Sequence, residues 1–457
     1  MRKFAVLLVV LLLAAVGLYV VGGRLPGPSI QIVQPEQFVG TDTPVRVTIG
    51  APPAALSSVD VVLEQDGRST PLVSTSGGAG NAAVAADGAA ATRVDTRIAS
   101  ETVPGLHSGA ARLMVTATRP VLRGLRRITT TASRELQVRL EPPTVSVLSS
   151  QHYVKVGGAE LVVYRVSPAD VSSGVRVGDL EYPGYPATGV HAEGVSITDP
   201  AIRVAFFALG WDQPLDTSID VFARDAAGNT AQVALEHRAF PSPARSSRIA
   251  ITDAFLQRVV PAILANTKEV APTGSLVDQF LVINGDLRKR NAATIASFAA
   301  HTAPEMLWGG VAFHPFTNSS AESAFADRRT YVYDGREIDH QVHLGFDLAS
   351  YAHTPVVAAN HGRVLYAAQL GIYGNCVILD HGMGVQSLYG HMSSLQVKPG
   401  DVVDKGQTLG LSGMTGLAGG DHLHFTMLVN GQMVTPLEWW DAHWIQDRIL
   451  RKLRAVD

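Results

Sequence analysis

The sequence predicts a mainly β protein: an N-terminal membrane anchor, two β-sandwich modules, a helical connector and a small-β C-terminal domain. Three observations carry this. An uncharged, mostly apolar run, Phe4 to Gly23, follows Arg2 and Lys3. Between Pro28 and Phe240, short apolar/polar alternations are separated by turns rich in Gly, Pro, Asp and Ser, the pattern of sandwiches. Beyond Phe313 the chain returns to short apolar runs with Gly-bearing turns, now carrying clustered His and Asp.

Taken in order, Phe4 to Gly23 as a helix would span about 30 Å, the thickness of a bilayer core. Basic residues ahead of it favour an inside N-terminus with the bulk of the chain outside. A cleaved signal peptide is the alternative, but no A-x-A-like site follows the run. The anchor is placed at 1–24. Runs such as Val45 to Ile49, Val59 to Leu63 and Leu113 to Thr118 assign 28–141 to a first sandwich, with Pro142-Pro143 as boundary. Glu160 to Val166, Ile202 to Leu209 and Ile219 to Arg224 assign 142–240 to a second β module. Its phrase Ala223 to Thr230 resembles the last hairpin of immunoglobulin-like modules, with Asp225 to Asn229 as the turn. The Gly/Ala-rich stretch Ser76 to Thr92 lacks periodicity and reads as a long loop.

Pro241 to Ser247 is a linker by composition. Thr252-Asp253 can cap a helix over Ala254 to Ala265 that Pro261 should kink or shorten. Further helices are expected over Ser275 to Phe280 and Leu287 to Ala300, so 241–310 is a linker and helical connector. The chemistry-bearing domain is placed at 311–440, and 441–457 is a C-terminal tail.

Composition removes some functions. With 37 basic and 40 acidic residues the formal net charge is −3, so no electrostatic case exists for nucleic acid. The only cysteine, Cys376, cannot form an intrachain disulfide; inside Asn375-Cys-Val-Ile-Leu379 it reads as a buried small hydrophobe.

Nine of the 15 histidines lie between His340 and His443, which points to a site. Three phrases concentrate them: H-L-G-F-D (His343, Asp347), Y-G-H-M (His391) and H-L-H-F (His422, His424). Two imidazoles and one carboxylate are a common ligand set for catalytic zinc, with a fourth position left for water. Two further histidines remain to move protons. In a strand, H-x-H points both rings to one face. The helical H-E-x-x-H pattern is absent, and Gly345 inside H-x-x-x-D favours an extended segment. Tyr389 could add a phenol beside His391, although packing is its simpler role.

From about Phe313 to Pro436 the text resembles the lysostaphin-type (LytM-like) zinc metallopeptidases that cut the peptide part of peptidoglycan. S-A-F-A-D-R-R, H-L-G-F-D-L-A, Y-G-N-C-V-I-L-D-H-G-M-G, S-L-Y-G-H-M-S, D-H-L-H-F and V-T-P-L-E-W-W-D carry the likeness. The resemblance implies a small-β peptidase domain with one Zn²⁺ on His343, Asp347 and His424, and His391 and His422 as catalytic histidines. His422 is favoured as the base because it neighbours a ligand. The implied function is a zinc endopeptidase hydrolysing cross-links or stem peptides of peptidoglycan. Expected partners are peptidoglycan, the membrane and cell-envelope proteins met through the β modules. The expected location is the inner membrane, single-pass and facing the periplasm, or secreted or periplasmic after signal cleavage. Departures fall at His353, Asp421 and Thr426, none of them a ligand or proton-transfer position. A catalytically silent scaffold or amidase activator is the rival from another class. A biotin or lipoyl carrier, suggested by Val397 to Gly413, lacks its attachment lysine, since Lys405 sits within the turn. In latent family members an upstream residue blocks the metal, and Asn318 is a candidate for that place.

Overall fold

The computed structural model describes residues 2–23, 25–76 and 83–456. It is mainly β and divides into two compact units: Met1–Pro143 with Arg224–Thr230, and Thr144–Ala223 with Ala231–Asp457.

In the first unit two sheets enclose one core. A four-stranded sheet runs Ile30–Gln34, Asp42–Ile49, Ala91–Ala99, Val84–Asp87, and a five-stranded sheet runs Phe38–Val39, Arg126–Val138, Gly109–Val121, Ser58–Gln65, Arg68–Ser76. Alternation explains the burial: in Ser58–Gln65, Val59, Val61 and Leu63 are buried while their neighbours are half-exposed. Part of the expected Ser76–Thr92 loop is strand instead, since Val84–Asp87 pairs with Ala91–Ala99; residues 77–82 lie outside the described residues.

The apolar run at the N-terminus folds as a helix, Arg2–Gly22, whose first turn carries Arg2 and Lys3 and which stops one residue short of the expected run. Among the described residues no helix is long and apolar enough to cross a membrane. The single-pass inner-membrane placement, and the membrane as a partner, are therefore corrected: the structure does not support them.

In the second unit the β strands of 144–223 and the C-terminal sheet share one core. Phe206 packs against Trp439 at 5.9 Å between ring centroids, and Trp439 against Trp308 at 5.8 Å. Such aromatic pairs contribute about 0.5–1.5 kcal/mol each beyond area burial. The tail is part of this core. Ile445, Ile449 and Leu453 are buried on successive helical turns, and Lys452 Nζ meets Glu160 Oε1 at 2.6 Å with both side chains buried.

Two sheets position the site. The larger one orders Ser320–Ser323, Phe346–Ala349, Leu423–Val429, Val385–Met392, Asn375–Asp380, Gly362–Gln369 and Val402–Val403. In the smaller, Arg245–Ile251 lies parallel to Asp327–Tyr333, which pairs antiparallel with Arg336–His343. Helices pack on these sheets through Leu256, Val259, Val260, Ile263 and Phe280, the last edge-on to Tyr331 at 5.8 Å. Asp253–Ala265 starts where Thr252 Oγ1 accepts from Phe255 N, and it runs through Pro261 unbroken because its buried face holds it. Leu276–Val282 opens with a Ser275/Asp278 capping box and continues through a π-helical turn, Ile283–Leu287, into Arg288–Ser297.

Candidate metal centre

Pairing of strands, not proximity in sequence, assembles the five residues. His343 ends Arg336–His343 and Asp347 lies in Phe346–Ala349, so H-x-x-x-D is extended. Asp347 is directly across from His424, and His424 is across from Gly390, the residue before His391. His422 precedes the strand Leu423–Val429 and bridges to Gly413.

His343 Nε2, His424 Nδ1 and Asp347 Oδ1 are mutually 3.0 Å apart. All three residues are buried, and these groups could hold a metal ion. N and O donors about 2.0–2.2 Å from a tetrahedral ion lie a little over 3 Å from one another, so the set fits zinc. The outer atoms of His343 and Asp347 are hydrogen-bonded, as those of a metal-binding side chain commonly are. His343 Nδ1 lies 3.1 Å from the Ala324 carbonyl, which only an N–H can donate to, leaving Nε2 as acceptor. Arg329 Nη2 donates to Asp347 Oδ2 at 2.6 Å and leaves Oδ1 to the cluster. His424 Nε2 is buried without a hydrogen-bond partner. Its ring fits because residue 345 is glycine: a Cβ there would meet His424 Cε1 at 2.5 Å and Phe425 O at 2.9 Å. Asp347 with His391 and His422 forms a second possible ligand group. Its His422–Asp347 distance is 3.5 Å, so the tighter first triad is the better metal site.

His391 and His422 stand together, with ring centroids 4.8 Å apart and His391 5.8 Å from His424. Each spends Nδ1 on a backbone carbonyl, His391 on Thr415 at 2.8 Å and His422 on Gly420 at 2.9 Å, so Nε2 is each ring's remaining nitrogen. Their proton affinities diverge. Burial, with His422 and His424 adjacent, holds His391 well below the usual imidazole range. Burial also acts to lower His422, but Asp347 outweighs it and raises the pKa. Burial brings His424 down to about 4. For Asp347, burial acts to raise the pKa, yet the surrounding histidines, His343 foremost, hold the carboxyl well below its ordinary value.

The cluster faces a cleft of about 470 Å³. Ser247, Ile251 and Phe255 line it from the strand and helix upstream, together with Arg288, Arg329, Tyr373 and Leu417. Asn318 is not among the lining residues. Tyr389 is buried, its hydroxyl accepting from Ala359 N at 2.8 Å and Ser387 Oγ at 3.0 Å, so it packs and does not face the cleft. Sequence reasoning missed Arg329. Its position in A-D-R-R, two residues after Asp327, which pairs with His343, was the available signal.

Residues 341–436, which carry His343, Asp347, His391, His422 and His424, match the model of Peptidase family M23. The chain thus carries a peptidase M23 domain in its C-terminal part. It is 38% identical over 135 residues to an uncharacterized metalloprotease of Haemophilus influenzae, covering 29% of this chain and 28% of that one. It is 35% identical over 116 residues to the peptidoglycan DD-endopeptidase ShyA of Vibrio cholerae, covering 25% and 26%. Over 86 residues it is 41% identical to the murein hydrolase activator EnvC of Escherichia coli, covering 19% and 20%. The chain therefore aligns with under a third of the length of each of these relatives.

Proposed function

We propose that the protein is a zinc-dependent endopeptidase that hydrolyses peptide cross-links or stem peptides of peptidoglycan. The observation that carries this is the triad His343, Asp347 and His424, with donors 3.0 Å apart and two further histidines in ring contact. The DD-endopeptidase relative supports the substrate class. One zinc ion held by the triad would polarise the scissile carbonyl and acidify water near neutral pH. His422, with its raised proton affinity, is suited to accept a proton through Nε2. His391, kept neutral by burial, is fixed by Thr415 with Nε2 free for the reacting groups. Each role is typically worth about 10²–10⁴ in rate.

Likeness to an activator leaves a silent scaffold as the rival, and retention of all five residues argues against it. The same likeness is consistent with envelope partners. We read 28–141 and 142–240 as the β modules that would meet them, the second immunoglobulin-like. A hairpin supports that reading: Ile219–Arg224 and Thr230–Ala234 are joined by a turn in which Asp225 Oδ1 accepts from Ala227 N and Asn229 N.

The test is digestion of purified cross-linked peptidoglycan by the zinc-loaded protein, with mass analysis of released muropeptides. Release of uncross-linked or shortened fragments that stops on chelation is expected. No release by protein holding stoichiometric zinc would favour the scaffold.

A further inference from the structure

Two arginines line the cleft, and they differ in one respect. Arg329 is paired with Asp347 at 2.6 Å and approaches Asp327 at 3.6 Å. Arg288 makes no ion pair with any carboxylate among the described residues, although it lines the same cleft as the metal triad. A half-buried guanidinium without a counter-ion is an unusual thing to hold rigidly.

It is nevertheless held. Arg288 Nε donates to the Asn284 carbonyl at 3.0 Å and Nη2 to Asn284 Oδ1 at 2.6 Å. Asn284 is fully buried, and its Nδ2 donates to Asp339 Oδ2 at 2.7 Å, which orients the amide. Both residues belong to the π-helical turn Ile283–Leu287 and its continuation, a distortion that recurs at functional sites. Two of the five guanidinium N–H groups are thus spent on orientation and the rest are left for a ligand. Tyr373 lines the same cleft, with its ring 5.3 Å from that of His424.

We propose that Arg288, supplied by the helical connector and lying upstream of the matched residues 341–436, anchors a free carboxylate of the peptide substrate in the cleft. This rests on the peptidase reading above. A planar fork with two adjacent free donors suits a carboxylate, and peptidoglycan stem peptides carry such groups. Arg288 is on this account a specificity residue that sets which peptides are held, without taking part in bond cleavage.

The test uses zinc-loaded full-length protein and two probes, a cross-linked muropeptide dimer with free carboxylates and the same dimer with them amidated. Each is measured against wild type, Arg288→Met and Arg288→Lys, as KM where the probe is cleaved and as Kd where it is not. Whether cleavage occurs tests the peptidase reading, and the interplay of amidation with Arg288 tests the anchor. Amidation and Arg288→Met should each weaken the interaction about 10-fold or more, with the combination no worse than either alone. Arg288→Lys should recover part of the loss, with kcat and zinc content unchanged. Equal weakening of both probes by Arg288→Met, or no change with either, would overturn the proposal.

Discussion

Arg329 grips one oxygen of Asp347, Nη2 to Oδ2 at 2.6 Å, while the other oxygen of that carboxylate lies 3.0 Å from both His343 and His424. The arginine thereby leaves Asp347 one oxygen to offer the cluster and fixes where it points. Partners of metal ligands are worth about 10- to 100-fold in metal affinity. Arg329→Met should weaken zinc binding by that amount, read by competition with a chelating dye, and Arg329→Lys should fall between. Unchanged affinity in Arg329→Met would make the arginine a mere neighbour.

Gly345 makes room for the His424 ring. In Gly345→Ala the new Cβ would lie 2.5 Å from His424 Cε1 and 2.9 Å from a backbone oxygen that cannot move aside. The ring must shift, so zinc affinity should drop at least about tenfold while the chain stays folded by circular dichroism. Wild-type affinity in this variant would show that His424 is not held where the metal triad needs it.

The tail is tied to the strand Gly158–Ser167 by Lys452 and Glu160, buried and 2.6 Å apart, with Lys452 also donating to Leu161 O at 2.9 Å. Removing one partner strands the other charge, which typically costs about 3–5 kcal/mol. Lys452→Met should lower the unfolding free energy by this order in urea titrations. Arg451→Ala, which breaks only the exposed pair with Asp447, should change it by less than about 1 kcal/mol.

Glu438 gives stability a pH dependence. Burial raises its pKa to about 8; the Ala159 N–H opposes this and the Glu160 carboxylate adds to it. The folded chain therefore keeps the proton where the unfolded chain has already lost it. Stability from this group is full below the ordinary glutamate value of about 4.5 and is lost as pH rises towards about 8. Glu438→Gln keeps an oxygen for Ala159 N and removes the titration. Relative to wild type, it should gain stability between pH 5 and 8, read as the difference in melting temperature. A difference that does not vary with pH would refute the assignment.

That His343, Asp347, His391, His422 and His424 come together was legible because each sits in a short phrase whose spacing has a geometric meaning. H-x-H and H-x-x-x-D fix relative positions within a few residues, and strand pairing does the rest. Arg288 and Arg329 were not, because arginine is by default a solvated surface residue and both act through contacts made far along the chain. Ser247, on the strand that walls the cleft, donates to Asp327 Oδ2 at 2.6 Å across 80 residues, a pairing no local pattern announces. The tail could have been read: Ile445, Ile449 and Leu453 recur every fourth residue, the mark of one buried helical face. The N-terminal run shows the opposite limit, since apolar composition fixed a helix but not a membrane span.

The central claim is that three residues hold the metal and two others work beside it. Zinc content and muropeptide release, measured together in His424→Ala, Asp347→Ala, His391→Ala and His422→Ala, test it most directly. His424→Ala and Asp347→Ala should lose both zinc and hydrolysis. His391→Ala and His422→Ala should keep zinc and lose about 10²–10⁴-fold in rate. One-to-one zinc retained in both of the first two variants, or near wild-type hydrolysis in either of the last two, would contradict the account.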